Sequence, residues 1–289
     1  MAKQSVSNTS LGAAVCRLIE QYQPEKTRLI NDPVVKEMVS PLIRVLMQLS
    51  SMRNYTVKQT DAVAQGIYGT QICRTRFIDD ATVTALSQGI SQLVILGAGL
   101  DTRAYRLPGI ERVKVFEVDL PAVQDGKKKS VQKYLGRLPE NVTYIPIDFD
   151  TQTLEAVFAG TSFDSSKPAV FIWEGVTQYI TEDAVRLTLT FVGKSSPGSI
   201  LLFTYVLKSI IQRSPDFPGA DHLMDVVAKS SPWIFGLEPS SIPAFLKPYH
   251  LALVANVGNA DYQEKYLKPL GRKLVVTEGE RIVHATVAP

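Results

Sequence analysis

Four segments of the 289-residue chain place chemically capable residues directly after apolar runs: Gly99 in LGAGL, Asp119 in FEVDL, Asp148 in PIDFD and Glu174 in FIWEG. The spacings between them are 20, 29 and 26 residues, each about one strand-plus-helix unit. If those runs are parallel strands, all four residues meet at the carboxyl edge of one sheet, where open α/β sheets bind ligands. A glycine turn lets backbone approach a ligand closely, and an acid some 20 residues on is placed to accept hydrogen bonds from ribose hydroxyls. The turn departs from a dinucleotide-binding loop in two places. Thr102 stands where the last glycine belongs, and Asp101 puts negative charge at a helix start that would otherwise hold pyrophosphate. Like charges there repel, so a nucleoside joined to a cationic group suits the loop better. S-Adenosyl-L-methionine is such a ligand. On this reading Asp148 reaches the adenine amino group, Phe149 packs on the ring, and Glu174 lies beside the methionine end.

The elements needed to position these residues are visible in the texture of the chain. From about Leu11 to Gln88 the apolar spacing is helical, with Leu11, Val15, Leu18, Ile19 and Tyr22 on one face. From Gln92 onward short β-branched runs alternate with helical stretches, the pattern of a parallel sheet covered on both faces. Strands are expected at 92–96, 113–118, 142–147, 169–173 and 200–205. Thr181 caps a helix whose first turn holds Glu182 and Asp183. Residues 207–249, rich in Pro, Ser and Gly, read as an inserted cap. The end returns to strands in LALVANVG and RIVHATVA, with a further candidate in KLVVT. The expected fold is a Rossmann-like, doubly wound, mostly parallel α/β sheet with an antiparallel last strand. Within one domain it has a helical block (1–90), a cofactor-binding core (91–206), the cap (207–249) and closing strands (250–289).

Composition narrows the function classes. With 45% apolar and 20% charged residues, the chain can bury a large core without disulfides or metal. A net charge of +3 is too small and too scattered for phosphate-driven nucleic-acid binding. The one dense basic run, Lys127-Lys128-Lys129, reads as a solvated helix face. Cys16 and Cys73 form no CxxC and have no neighbouring His, which argues against a metal site and for a reducing cytoplasm. A polar opening segment and the absence of a spanning apolar stretch predict neither export nor membrane anchoring.

These residues resemble the S-adenosyl-L-methionine-dependent methyltransferases of the leucine carboxyl methyltransferase family, including its bacterial O-methyltransferase branch. The resemblance covers nearly the whole chain. It rests on RTRFIDD (74–80), LGAGLDTRAYRL (96–107), FEVDLPAVQDGKK (116–128), PIDFD (146–150), WEGVTQYI (173–180) and PWIFGLEPSSIPAFL (232–246). It implies a cofactor loop at Gly97 and Gly99, a ribose acid at Asp119, an adenine-contacting pair at Asp148 and Phe149, and an acid near the methionine end at Glu174. It further implies that Arg74 binds the cofactor carboxylate and that Arg17 is a second basic contact. Arg76 competes with Arg74 for the inward position, which depends on helix phase, and Arg74 is the favoured one.

Methyl transfer from a sulfonium is an in-line displacement, so the enzyme's main task is to hold an acceptor oxygen near the methyl in a dry pocket. A carboxylate acceptor needs no base. A hydroxyl would want one, and the candidates are Tyr179, Tyr205 and His222, the tyrosines being placed on the acceptor side by the resemblance. Trp233 and Phe235 are candidate pocket walls, and Arg213 a candidate partner for an acceptor carboxylate. The expected acceptor is a small molecule. Methylation of a protein C-terminal carboxylate, non-catalytic cofactor binding and nicotinamide-dependent oxidoreduction stay open as alternatives.

Overall fold

The computed structural model describes residues 2–149, 151–229 and 231–289. The chain opens with helices α1 (Ala2–Glu20), α2 (Val35–Met38), α3 (Pro41–Leu46), α4 (Ser50–Val63) and α5 (Ile67–Ser87). The alternating part follows as β1 (Gln92–Leu96), α6 (Arg103–Arg106), β2 (Lys114–Asp119), α7 (Pro121–Leu135), β3 (Val142–Pro146), α8 (Leu154–Phe158), β4 (Val170–Trp173), α9 (Glu182–Gly193) and β5 (Ile200–Val206). Then come α10 (Lys208–Ile211), α11 (Ala220–Ala228), α12 (Ile242–Leu246), β6 (Leu251–Val257), α13 (Asn259–Tyr262), a π-helical turn over Gln263–Leu267, and β7 (Glu280–Val287).

Among the described residues, seven strands form one sheet in the order β3-β2-β1-β4-β5-β7-β6. Pairings from β3 to β5 are parallel, and β7 runs antiparallel to both β5 and β6. β1 is buried along its whole length, as a strand covered on both faces must be. Its alternate residues divide between two cores. Leu93 and Ile95 pack with α1 and α5, whereas Val94 and Leu96 pack with Phe171, Val185 and Leu189 on the other face. Local signals end the helices as the sequence suggests: Thr181 Oγ1 accepts from Ala184 N at 3.2 Å, and Pro121 opens α7 while the left-handed Gly136 closes it.

The strand order reverses between β1 and β4, which opens a crevice at their carboxyl ends. Gly97 follows β1, Asp119 ends β2, Asp148 lies two residues past β3 and Glu174 follows β4. The KLVVT segment is not a strand. It crosses the start of α5, where Thr277 N donates to Thr70 Oγ1 at 3.0 Å. A Cβ on Gly69 would stand 2.1 Å from Val275 O, so the backbones meet there closely enough to exclude any side chain.

Candidate active site

The strand ends open into a cavity of about 630 Å³. Its floor is the 97–101 turn with Asp119, Asp148 and Phe149. Its roof is built from α1 (Gly12, Ala13, Cys16), the end of α4 (Thr60, Val63, Ala64) and α11 (Leu223, Val226, Val227). A second hollow of about 550 Å³ lies beside α1 and α4, but its guanidiniums are already engaged. Arg272 pairs with buried Glu20, and Arg53 donates to the carbonyls of Met47 and Gln48 over the Tyr22 ring. The strand-end cavity is therefore the candidate site.

The glycine turn is tied down from every side. Gly97 N and Ala98 N both donate to Val118 O, and Asp101 N donates to Ala98 O. Gly99 N donates to Asp119 Oδ2 at 2.5 Å. Lys127 Nζ donates to Ala98 O and Arg17 Nη2 to Leu100 O. A phosphate cradle works by leaving such N–H groups free, and here the amides of 97, 98, 99 and 101 are spent inside the protein. Gly97 has φ +67°, and a Cβ there would stand 2.4 Å from Val176 Cγ2, so the turn fits against the loop after β4 only as glycine.

Beneath the turn lies a chain of buried ion pairs. Glu174 bridges Arg74 Nε at 2.7 Å and Arg103 Nη1 at 2.5 Å. Arg74 also pairs with Glu280, and Arg103 with Asp101 and Asp79. Arg106 pairs with Asp79, and Arg17 with Asp32. Burial opposes the charge on Glu174, but Arg103 and Arg74 outweigh it and hold the carboxyl well below the usual carboxylate range. Burial likewise opposes the charge on Asp101, and Arg103 with Lys127 overrides it, so that this carboxyl too is lowered. Asp119 goes the other way. Its burial is not fully offset by the N–H donors of Gly99 and Leu120, and its pKa is raised.

The structure brings Arg17, Arg74, Gly97, Gly99, Asp101, Asp119, Asp148, Phe149, Glu174 and Tyr179 together in the lining. Arg76 instead pairs with Asp80, its side chain 41% exposed. Asp101 does not stand as an isolated charge: its carboxylate accepts from Arg103 N and pairs with the Arg103 guanidinium. The lining holds five carboxylates and two guanidiniums, with Arg103 behind it paired to Asp101 and Glu174.

Several expected residues lie elsewhere. Tyr205 is fully buried in β5 and its hydroxyl donates to Asn256 Oδ1 at 3.1 Å, away from the cavity. His222 is exposed on α11, because Leu223, Val226 and Val227 turn inward and leave its position outward. Arg213 is spent on Asp221 and Asp225 at the surface. Phe235 packs on Phe245 in the core, whereas Trp233 does line the cavity. Lys127 is not solvated: it is 1% exposed and pairs with Glu117 at 2.8 Å.

Arg103 and Glu280 were not singled out by sequence reasoning. Arg103 sits two residues after Asp101 in the glycine-turn motif, a position from which a reach back into the site is available. Glu280 gives no such signal, since only the β7 register opposite Val206 brings it to the cavity.

A mostly parallel sheet with a carboxylate-lined cavity at its switch point is where α/β folds of this kind bind their ligands. The chain belongs to the leucine carboxyl methyltransferase family, whose model matches residues 10–193. A protein of Mycolicibacterium gilvum assigned as an S-adenosyl-L-methionine-dependent methyltransferase is 32% identical over 228 residues, covering 75% of this chain and 69% of that one. A similarly assigned protein of Mycobacterium bovis is 34% identical over 211 residues, covering 70% and 65%. In fold, the chain is similar to a crystal structure from Thermobifida fusca assigned as a methyltransferase, with a TM-score of 0.59 at 16% identity over 83% of this chain and 90% of that one.

Two outcomes follow for the cofactor site. Gly97→Ala is expected to weaken S-adenosylhomocysteine binding more than about tenfold by calorimetry, since a left-handed non-glycine residue alone costs about 1–2 kcal/mol and the new methyl meets Val176. Affinity is also expected to fall on acidification. If ribose hydroxyls donate to the ionised Asp119, binding is lost as pH drops through a pKa raised above that of an ordinary aspartate. A titration flat across mildly acid pH would contradict this role.

Proposed function

We propose that the protein transfers the methyl group of S-adenosyl-L-methionine to an oxygen, a hydroxyl or a carboxylate, of a small molecule. The observation that carries this reading is the shape of the cavity. It runs from the strand-end carboxylates into an aliphatic chamber roofed by α4 and α11. A cavity of about 630 Å³ suits a small acceptor better than a protein tail, which needs an extended groove. The spent loop amides disfavour a nicotinamide dinucleotide.

The lining fits the cofactor. Asp119 would accept from the ribose, Asp148 and Phe149 would meet the adenine, and Glu174 with Asp101 would face the ammonium. Arg17 and Arg74 would take the carboxylate through the guanidinium hydrogens that their ion pairs leave over. When bound, the cofactor supplies a methyl on a positively charged sulfur, open to displacement in line. The chain's part is to orient that methyl and exclude water. Glu174, pinned as a carboxylate by two guanidiniums, is a fixed countercharge and not a proton acceptor. Among the described residues, no histidine lines the cavity. A base for a hydroxyl acceptor is therefore sought at Tyr179, and a carboxylate acceptor would need none. The free, buried Cys16 and Cys73 support a reducing, cytoplasmic setting.

The test is incubation with S-adenosyl-L-methionine labelled in the methyl group and panels of hydroxyl- and carboxyl-bearing small molecules. Label is expected in an ester, which releases methanol in mild alkali, or in an ether, which does not. Tight cofactor binding with no label transferred over long incubation would favour the non-catalytic alternative.

A further inference from the structure

Three residues in the cavity wall carry polar atoms that nothing in the protein satisfies. Among the described residues, Gln178 Oε1, Ser231 Oγ and Trp233 Nε1 are buried without a hydrogen-bond partner, and all three residues line the cavity. They are held together across the fold. Gln178 lies in the turn after β4, and its carbonyl accepts from Ile234 N at 2.8 Å. That bond clips the segment bearing Ser231 and Trp233 against the turn. The neighbouring wall is aliphatic, with Ile210, Leu223 and Val226. Buried polar groups in native proteins are almost always paired, and these atoms are shielded from bulk water. They have no surface open to the cavity as the side chains stand, and small rotations of the three side chains would present them to whatever fills the chamber, where their partner is to be sought.

The donor inventory narrows that partner. An indole N–H only donates, an amide oxygen only accepts, and a serine hydroxyl does either. A group that satisfies all three must both accept and donate, as a hydroxyl or a primary carboxamide does. A carboxylate cannot donate to Gln178 Oε1. An ammonium cannot accept from Trp233. We infer that the methyl acceptor is an uncharged, largely apolar molecule bearing a hydroxyl or carboxamide, and that Gln178, Ser231 and Trp233 are the residues that select it. This rests on the methyltransferase reading above and narrows its acceptor to neutral molecules.

The experiment uses the full chain saturated with S-adenosylhomocysteine and titrated by calorimetry with 2-naphthol, 2-naphthamide and 2-naphthoate. The naphthol and the amide are expected to bind, with the carboxylate at least tenfold weaker. Trp233→Phe and Ser231→Ala should each weaken naphthol binding about threefold to tenfold, with cofactor-product affinity changed less than twofold, which also reports that the variants fold. The chain has two tryptophans, so nitrogen-15 spectra show two indole N–H signals. That of Trp233 should move on adding naphthol, while that of core-buried Trp173 stays. Equal or tighter binding of naphthoate, no binding of any probe to the saturated protein, or unchanged binding in Trp233→Phe would each overturn the inference. Failure of S-adenosylhomocysteine itself to bind would strike earlier, at the methyltransfer reading.

Discussion

Replacing Arg103 by Gln is expected to destabilise the protein by about 3–5 kcal/mol, the usual cost of removing one partner from buried ion pairs. Arg103 is 2% exposed and holds Asp79, Asp101 and Glu174 at once. Without it, three buried carboxylates lose their shared countercharge, and Arg74 and Arg106 cannot cover all of them. In a chain of this size the thermal midpoint should fall by roughly 10 °C. The pH dependence follows from Glu174. Its carboxyl is lowered in the folded state, so its stabilising contribution is fully present above the unfolded value near 4.5 and is lost only as pH falls through the lowered value. The wild type should hold its midpoint through mildly acid pH and lose it in stronger acid. An unchanged midpoint in Arg103→Gln would show that the chain of pairs is not what fixes the 97–103 segment.

Asp119→Ala carries the second large effect, on binding. The carboxylate is expected to accept from ribose hydroxyls while its own oxygens hold Gly99 N at 2.5 Å and Leu120 N at 2.6 Å. Alanine removes the ribose contact and also frees the glycine turn. The expected loss is roughly 1.5–3 kcal/mol, about tenfold to a hundredfold in the dissociation constant of S-adenosylhomocysteine. Asp119→Asn keeps one oxygen for the turn and should fall between the two. Wild-type affinity in the alanine variant would mean that the ribose lies elsewhere.

The placement of Asp119, Asp148 and Glu174 was legible because strand ends in a parallel sheet share one edge whatever the intervening helices do. The closing strand was legible as a run after the Gly279 turn signal, and the sheet carries it antiparallel to β5. Side-chain direction was harder. Lys127 looked solvated among three lysines, yet the phase of α7 turns it to Glu117 beneath the glycine turn. Tyr205 falls on the expected strand, but alternation along β5 and the pairing with β7 send its hydroxyl to Asn256. His222 fails by one helical position, since its neighbours Leu223 and Val226 take the inward face. The apolar run KLVVT resembles a strand, but contact with α5 at Gly69 and Thr70 claims its backbone first. Asp101 was chosen for its charge, but its pairing with Arg103 offsets that charge, and the case against a phosphate rests on the spent amides of the glycine turn.

A crystal structure of the protein with S-adenosylhomocysteine bound tests the central claim most directly. It should show the ribose hydroxyls on Asp119, the adenine between Asp148 and Phe149, and the sulfur turned toward the chamber that Tyr179 and Trp233 help to wall. A ligand seated outside this cavity, or a phosphate lying across residues 97–102 in crystals soaked with NAD, would contradict the account.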